Sequence, residues 1–338
     1  MMQAIVMTTF GGPEVLELRS VNKPFIRTPN EVLIRVIAAG VNAGDLKIRE
    51  GDRPLKELGL PEEGVILGFE GAGIVEAVGA NVSRFKVGDE VYYYDGGVPG
   101  IQGNYAQFKA LDENYVAHKP KSLSFAEAAS LPVIAIASWE SLHDRIRLQK
   151  GDYLLVQGGA GGLGHIGIQL GKILGAHVAT TVSNEDKAKF VKDMGADKII
   201  RYKNENIKEA IQEWTQKNGV DAIYDTVGDA VFSQSIDLLD MHGRIVSPAF
   251  PTAWPTSDIV SATYRNIQIS FEAMGHALSS PEARIRQTGI LENVATLVDD
   301  DRLHVELDRT YDLKDLNEAH RALENGEIVG KSALIITH

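Results

Sequence analysis

Cysteine is absent from the sequence, which excludes disulfide bonds, a thiol nucleophile and a thiolate metal site. That absence fits a reducing compartment, and the chain is expected to be cytoplasmic. Positive charge is in deficit: 46 acidic side chains stand against 34 basic ones, a formal charge of -12. A surface of that sign repels phosphate backbones and anionic lipid, so neither a nucleic acid nor a membrane is expected as a partner. Long apolar runs are missing too. The stretch 131–137 is among the longest, far short of the roughly 20 residues a membrane-spanning helix needs. The start, Met1 to Ile5, has no basic region ahead of an apolar one, so no secretion signal is read.

What is present is ordinary globular composition, 44% apolar and 24% charged, over 338 residues. That length is too great for one compact core, so two domains are expected. The first part is strand-rich and punctuated by glycine, with strands at 31–39, 71–79 and 88–94. Their spacing leaves no room for long helices and suits a small barrel or twisted sheet. Character changes near Lys119-Pro120. Ser124 and Glu127 form a Ser-x-x-Glu capping box that opens a helix, and Pro132 to Leu142 reads as another. From Asp152 strands and helices alternate: strands at 153–157, 176–182, 198–202, 222–224 and 243–247, with helices between them. Such units demand crossovers and a mostly parallel sheet. The tail holds a strand at 267–271, a long helix from Pro281 to Val298, a strand at 305–311, a helix at 313–325 and a last strand around 333–337.

One glycine pattern carries chemistry. Gly159-Ala160-Gly161-Gly162-Leu163-Gly164 follows the strand 153–157 directly and opens a helix leading to a second strand, the context a dinucleotide-binding loop requires. Gly159 permits the tight turn, Gly161 lets the backbone approach a pyrophosphate, and Gly164 lets helix and strand pack closely. Bare amides at the helix start then face the anion.

The end of the second strand discriminates between cofactors. NAD sites usually place an acid there for the ribose 2'-hydroxyl. Here the strand ends Thr181-Val182-Ser183-Asn184, and the acids Glu185 and Asp186 come later, at a helix start. A hydroxyl, an amide and nearby Lys187 suit a 2'-phosphate, so NADPH is favoured over NADH. Ser183 can equally cap the helix while Lys187 is solvated.

Metal ligation finds no support. The histidines at 118, 143, 165, 177, 242, 276, 304, 320 and 338 form no His-x-x-His or His-Glu-x-x-His pair. His165, just after the loop, lines its helix, and His242 precedes a glycine turn. Hydride transfer itself asks little of side chains, because the cofactor performs it. The protein must place an acceptor and stabilise the oxygen that gains charge. The candidates are Asn42, Asp45 and Lys47 in Gly40-Val-Asn-Ala-Gly-Asp-Leu-Lys, with the tyrosines 92 to 94. Asn42 also reads as a turn-forming amide, and Asp45 as a cap or a buried salt-bridge partner. Alternation along a strand puts at least one of the three tyrosine rings on each face, so one or two are core. Tyr94, last before Asp-Gly-Gly, is best placed to reach a cleft.

Taken together these segments resemble the medium-chain dehydrogenase/reductase superfamily, specifically its zinc-free quinone oxidoreductase branch, and the likeness spans essentially the whole chain. It rests on 39–45 around Asn42 and Asp45, the glycine-rich stretch 67–79, Phe85-Lys-Val-Gly-Asp89, the segment 151–164, Ala319-His-Arg-Ala-Leu and Gly330-Lys331. The resemblance implies an α/β chain. Residues 1–122 and 267–338 would form a GroES-like, β-rich catalytic domain, and 123–266 a Rossmann doubly wound parallel sheet, with the active site in the cleft. It sets Asn42 where the zinc enzymes have a catalytic cysteine and Phe69 where they have a ligand histidine, so no metal is implied. It implies Asn42 and Asp45 around nicotinamide and substrate, and Lys187 and Tyr202 near the adenosine phosphate. Val227, Val246 and Lys331 complete the cofactor set. A threonine common in the branch is Ala137 here, beside Ser138, and a common tyrosine is Lys47. The departures leave open an enone or enal reductase in place of a quinone reductase. A nucleotide-binding redox sensor with little turnover is a third reading. The resemblance also implies a homodimer, with Ile267 and its neighbours as candidate edge-strand contacts.

Overall fold

The computed structural model describes residues 1–51, 60, 64–98, 100–249 and 255–338. The chain divides into two compact units: Met1–Val133 with His276–Asp301 and Val305–His338, and Ile134–Gly275 with Arg302–His304.

The second unit is built on a six-stranded sheet. In spatial order its strands are Lys198–Arg201, His177–Val182, Tyr153–Gln157, Val220–Asp225, Leu239–Ser247 and Gln268–Phe271, and every neighbouring pair is parallel. Read in chain order that is 3-2-1-4-5-6, the doubly wound order whose strand direction of progress reverses beside the first strand. Leu154, Leu155 and Val156 are fully buried, as expected of a central strand covered on both faces. Leu155, Ile223, Ile245, Phe232 and Ile236 belong to one apolar cluster joining sheet and helices.

The first unit carries a mainly antiparallel seven-stranded sheet: Leu307–Asp312, Lys331–Ile335, Glu31–Val41, Glu70–Val78, Glu90–Tyr94 and Ala117–His118 in order, with Phe108–Asp112 also paired to Glu31–Val41. The hairpin Met2–Met7 with Leu16–Val21 is separate. The capping box at Ser124 forms as read: the Ser124 amide donates to Glu127 at 2.8 Å, and the Glu127 amide to Ser124 Oγ at 3.3 Å.

The first unit keeps the helix Phe125–Ala129 and runs to Val133, and Gln268–Phe271 belongs to the parallel sheet. Two expectations need correction. The helix beginning at Pro132 is α-helical only to Trp139 and continues as a π-turn over Glu140–Arg145. All three tyrosines 92 to 94 are buried, because the strand is covered on both faces; Tyr92 Oη donates to the Leu291 carbonyl at 2.6 Å.

Candidate active site

The glycine-rich loop lies between the strand Tyr153–Gln157 and the helix Gly162–Ile173. Its glycines are required for different reasons. The left-handed turn falls at Gly158, with φ 74°, one residue before the glycine expected to make it. At Gly159 a Cβ would sit 2.0 Å from Thr180 Oγ1, and at Gly164 it would sit 2.2 Å from the Gly158 carbonyl oxygen. Those two positions are glycine because the protein itself fills the space. At Gly161 a Cβ would meet only the Gly158 oxygen at 3.5 Å, an ordinary contact. No packing demand explains the missing side chain there, and the space it leaves in front of the backbone fits a close-approaching diphosphate.

Exposure divides the loop the same way. Gly159, Ala160 and Gly164 are buried, whereas Gly161, Gly162 and Leu163 remain partly exposed. No side chain caps the helix at Gly161, so its first amides keep their anion-facing potential. Beneath the loop, Thr181 Oγ1 accepts from the Gly158 amide at 3.0 Å and donates to Gln157 Oε1 at 2.8 Å, and Gln157 Nε2 donates to Ser235 Oγ at 3.0 Å. This buried chain of hydrogen bonds fixes the turn from below. Val227, half-exposed, lies beside Gly158. Val246 is fully buried in the sheet, in register with Tyr224 and Ser270.

At the end of the strand His177–Val182, Ser183 is half-buried and Asn184, not Ser183, caps the helix Glu185–Asp193, accepting from the Lys187 amide at 2.9 Å. Among the described residues the Lys187 ammonium has no carboxylate partner, while Glu185 is bound to Arg201 at 2.8 Å. Tyr202 is exposed, its amide held by the Val182 carbonyl at 3.2 Å. Arg201 escaped the sequence reading because nothing in a strand-end arginine announces that it neutralises an acid across a strand.

Across the same sheet, Ser138 Oγ lies 3.2 Å from Tyr224 Oη and donates to the Leu163 carbonyl at 3.4 Å. The Tyr224 ring fills the groove opposite Gly167, where a Cβ would come within 2.7 Å of it. Ser138, noted only as the neighbour of Ala137, therefore touches the loop's own helix.

The first unit gathers the other candidates. Asn42 opens the helix Ala43–Glu50, and Asp45 Oδ2 accepts from the Asn42 amide at 3.0 Å, the reciprocal arm of a cap. Asp45 is fully buried; its carboxylate also accepts from the Gly68 amide at 3.0 Å and from Tyr105 Oη at 2.9 Å. Burial pushes Asp45 up to about 7, against the opposing pull of the Tyr105 and backbone hydrogen bonds and the Lys331 charge. Asp45 thus holds the Asn42 main chain in place.

The Asn42 side chain is held as firmly. Its Nδ2 donates to Glu70 Oε1 at 2.8 Å, its Oδ1 accepts from Lys331 Nζ, and Lys331 in turn reaches Glu70 Oε1 at 3.0 Å and the Val41 carbonyl at 2.9 Å. All three Lys331 donors are used inside the unit. Glu70 was not singled out, although a carboxylate at the head of the apolar run 70–75 is the kind of signal that could have found it. Lys47 projects from the exposed side of its helix, opposite Asp45, Ile48 and Arg49. Tyr94 is buried, its ring 6.4 Å from that of Phe69. Phe69 also packs on Gly44, where a Cβ would come within 2.7 Å of the ring.

Comparison with known proteins bears on both units. A family model described as an alcohol dehydrogenase GroES-like domain matches residues 28–121, and one described as a zinc-binding dehydrogenase matches 162–295. The chain is 30% identical to a quinone oxidoreductase of Pseudomonas aeruginosa over 99% of its own length and 100% of that protein. It is also 30% identical to a 2-haloacrylate reductase of a Burkholderia species, covering 99% of each. Among solved structures, the quinone oxidoreductase of Escherichia coli complexed with NADPH superimposes with a TM-score of 0.85 at 28% identity, over 98% of this chain and 99% of that one.

Proposed function

The chain belongs to the medium-chain dehydrogenase/reductase superfamily, in its quinone oxidoreductase branch, and on that footing we propose that it is an NADPH-dependent reductase of quinones and α,β-unsaturated carbonyl compounds. The observation that carries the reading is the bare, uncapped and partly exposed start of the helix Gly162–Ile173, at which Gly161 lacks a side chain that the protein could have accommodated. The names of the relatives support the acceptor class: one is a quinone oxidoreductase, another reduces a haloacrylate, and the E. coli structure is complexed with NADPH.

In this reading the amides of Gly162 to Gly164 bind the diphosphate, the Gly161 amide being taken by the Gly158 carbonyl at 3.1 Å, and Lys187 and Tyr202 serve the 2'-phosphate. Glu185, neutralised by Arg201, does not repel it. When bound there, a reduced nicotinamide would supply hydride to the electrophilic carbon of the acceptor, and the enolate or phenolate left would take its proton from solvent. Asn42 donates from Nδ2 to the acceptor oxygen as that oxygen gains charge, and Asp45 keeps Asn42 at its helix start. The chain is further proposed to act as a homodimer paired through Gln268–Phe271, the outermost strand of the parallel sheet.

Stopped-flow oxidation of NADPH and of NADH against panels of quinones, enones and 2-haloacrylates tests the reading. NADPH consumed with quinones or enones, at a KM at least about tenfold below that for NADH, agrees with one charge-assisted contact to the 2'-phosphate. Tight binding with no acceptor reduced would instead support the redox-sensor reading, and a preference for NADH would remove Lys187 and Tyr202 from their roles.

A further inference from the structure

Asn42, Glu70 and Lys331 form a closed triangle in which each side chain bonds the other two. Glu70 and Lys331 are both buried, at 0% and 4% exposure. The second Glu70 oxygen accepts from the Val133 amide at 2.6 Å. The carboxylate also lies against Gly40, where a Cβ would come within 2.2 Å of Oε1. The triangle is therefore clamped from outside as well as within.

Only one orientation of the Asn42 amide satisfies it. An ammonium can only donate, so it takes the amide oxygen; an ionised carboxylate can only accept, so it takes the amide nitrogen. Rotating the amide by half a turn would set donor against donor and acceptor against acceptor at once. A buried charge pair is a weak source of stability, and apolar residues of similar volume often replace one without loss. What such a pair does supply is a fixed rotamer and a fixed donor.

We propose that Glu70 and Lys331 are positioning residues that lock the Asn42 amide with its oxygen turned inward, leaving the second Nδ2 hydrogen as the donor offered to a ligand. This rests on the role given to Asn42 in the proposed function. Asp45 fixes the main chain of the same residue through the Asn42 amide, so backbone and side chain are held by separate groups.

The experiment is a mutant cycle in the full-length chain, read as kcat/KM for NADPH with menadione as the quinone probe, alongside thermal unfolding. Lys331→Met alone leaves the Glu70 charge buried and unpaired and can unfold the protein. The variant that decides is therefore Glu70→Gln with Lys331→Met, which removes both charges together. Its melting temperature is expected close to wild type while kcat/KM falls about 100-fold, the size of effect a misplaced contact produces. Added to Asn42→Ala, the same pair of changes is expected to lower kcat/KM by less than about threefold further, since the group they position is gone. A merely structural role would give equal losses in both backgrounds. A double variant as active as wild type, beside a crippled Asn42→Ala, would overturn the positioning role alone. An Asn42→Ala protein as active as wild type would overturn both that role and the reading of Asn42 beneath it.

Discussion

If the missing side chain at Gly161 serves a ligand and those at Gly159 and Gly164 serve packing, three alanine substitutions within six residues should have opposite consequences. At Gly164 the new Cβ would lie 2.2 Å from the Gly158 oxygen and 2.7 Å from the Gly159 Cα, atoms of a tight turn that cannot yield cheaply. At Gly159 it would lie 2.0 Å from Thr180 Oγ1, which is fully buried and donates to the Val156 carbonyl. Overpacking of this kind costs about 1–3 kcal/mol, or a melting temperature lower by roughly 2–12 °C for domains of this size. Gly161 has φ -85° and ψ 176°, extended backbone that alanine adopts freely, and the nearest atom to its Cβ would be 3.5 Å away. The loss of glycine at a helix N-cap costs up to about 1 kcal/mol. Gly161→Ala should therefore melt within roughly 4 °C of wild type. Its affinity for NADPH should nevertheless collapse. Pushing the diphosphate off two amides forfeits two charge-assisted bonds of about 1.5–3 kcal/mol each, a rise in Kd of at least about 100-fold. Differential scanning fluorimetry and NADPH fluorescence titration on the three variants measure both quantities. A Gly161→Ala protein that binds NADPH within threefold of wild type would refute the reasoning, and so would one that melts as low as Gly164→Ala.

Lys187→Ala should raise the Kd for NADPH about tenfold and leave that for NADH unchanged, as calorimetric titration with each dinucleotide would show. Asp45, raised to about 7 from 3.8, favours the folded state in its protonated form; its contribution is complete below about 3.8 and is lost as pH rises through 7. Urea unfolding of Asp45→Asn at pH 5 and 7.5 should therefore show a smaller fall in stability with pH than wild type, by about 2–3 kcal/mol at 1.36 kcal/mol per unit. His320 has the opposite sign. Burial and the neighbouring Arg49 charge lower it to about 3, so the stability of the neutral ring is intact above about 6.5 and is lost as pH falls toward 3. Replacement by glutamine, which keeps an acceptor for the Arg49 contact at 3.1 Å, should remove about 2 kcal/mol of acid sensitivity between pH 6.5 and 5 in the same assay.

The glycine-rich turn was legible because its signal is local: strand, bare bend and helix start follow one another within a dozen residues. The parallel sheet was legible for a related reason, since repeated strand and helix lengths leave one class of crossover. The polar cluster of the first unit was not. Asn42 meets a carboxylate 28 positions away, Asp45 a hydroxyl 60 positions away, and Glu70 an ammonium 261 positions away. No periodicity encodes such pairs, so Glu70 and Tyr105 passed as ordinary residues. The four-residue strand Gln268–Phe271 reads alike in either unit, and only its pairing with Leu239–Ser247 assigns it. Tyr92 and Tyr94 share a face by alternation, yet both faces of their strand are covered, and cover is a tertiary fact.

The donors available to the reacting oxygen bear on which acceptors this chain can reduce. The Phe69 ring, packed on Gly44 and near Tyr94, offers no lone pair. The Asn42 side-chain oxygen is committed to Lys331. A simple ketone concentrates a full alkoxide charge on one oxygen and calls for a Lewis acid or a proton carrier there. In a quinone or a conjugated enone the charge spreads over a phenolate or enolate, whose conjugate acid is stronger by several units. A neutral amide hydrogen, aimed in advance and held rigid, is sufficient for that lesser demand. Alcohol oxidation would need a base or a Lewis acid to draw off the hydroxyl proton, which an Asn42 N–H donor cannot do, so detectable turnover of NADP+ with simple secondary alcohols would contradict the assignment of that amide to the reacting oxygen.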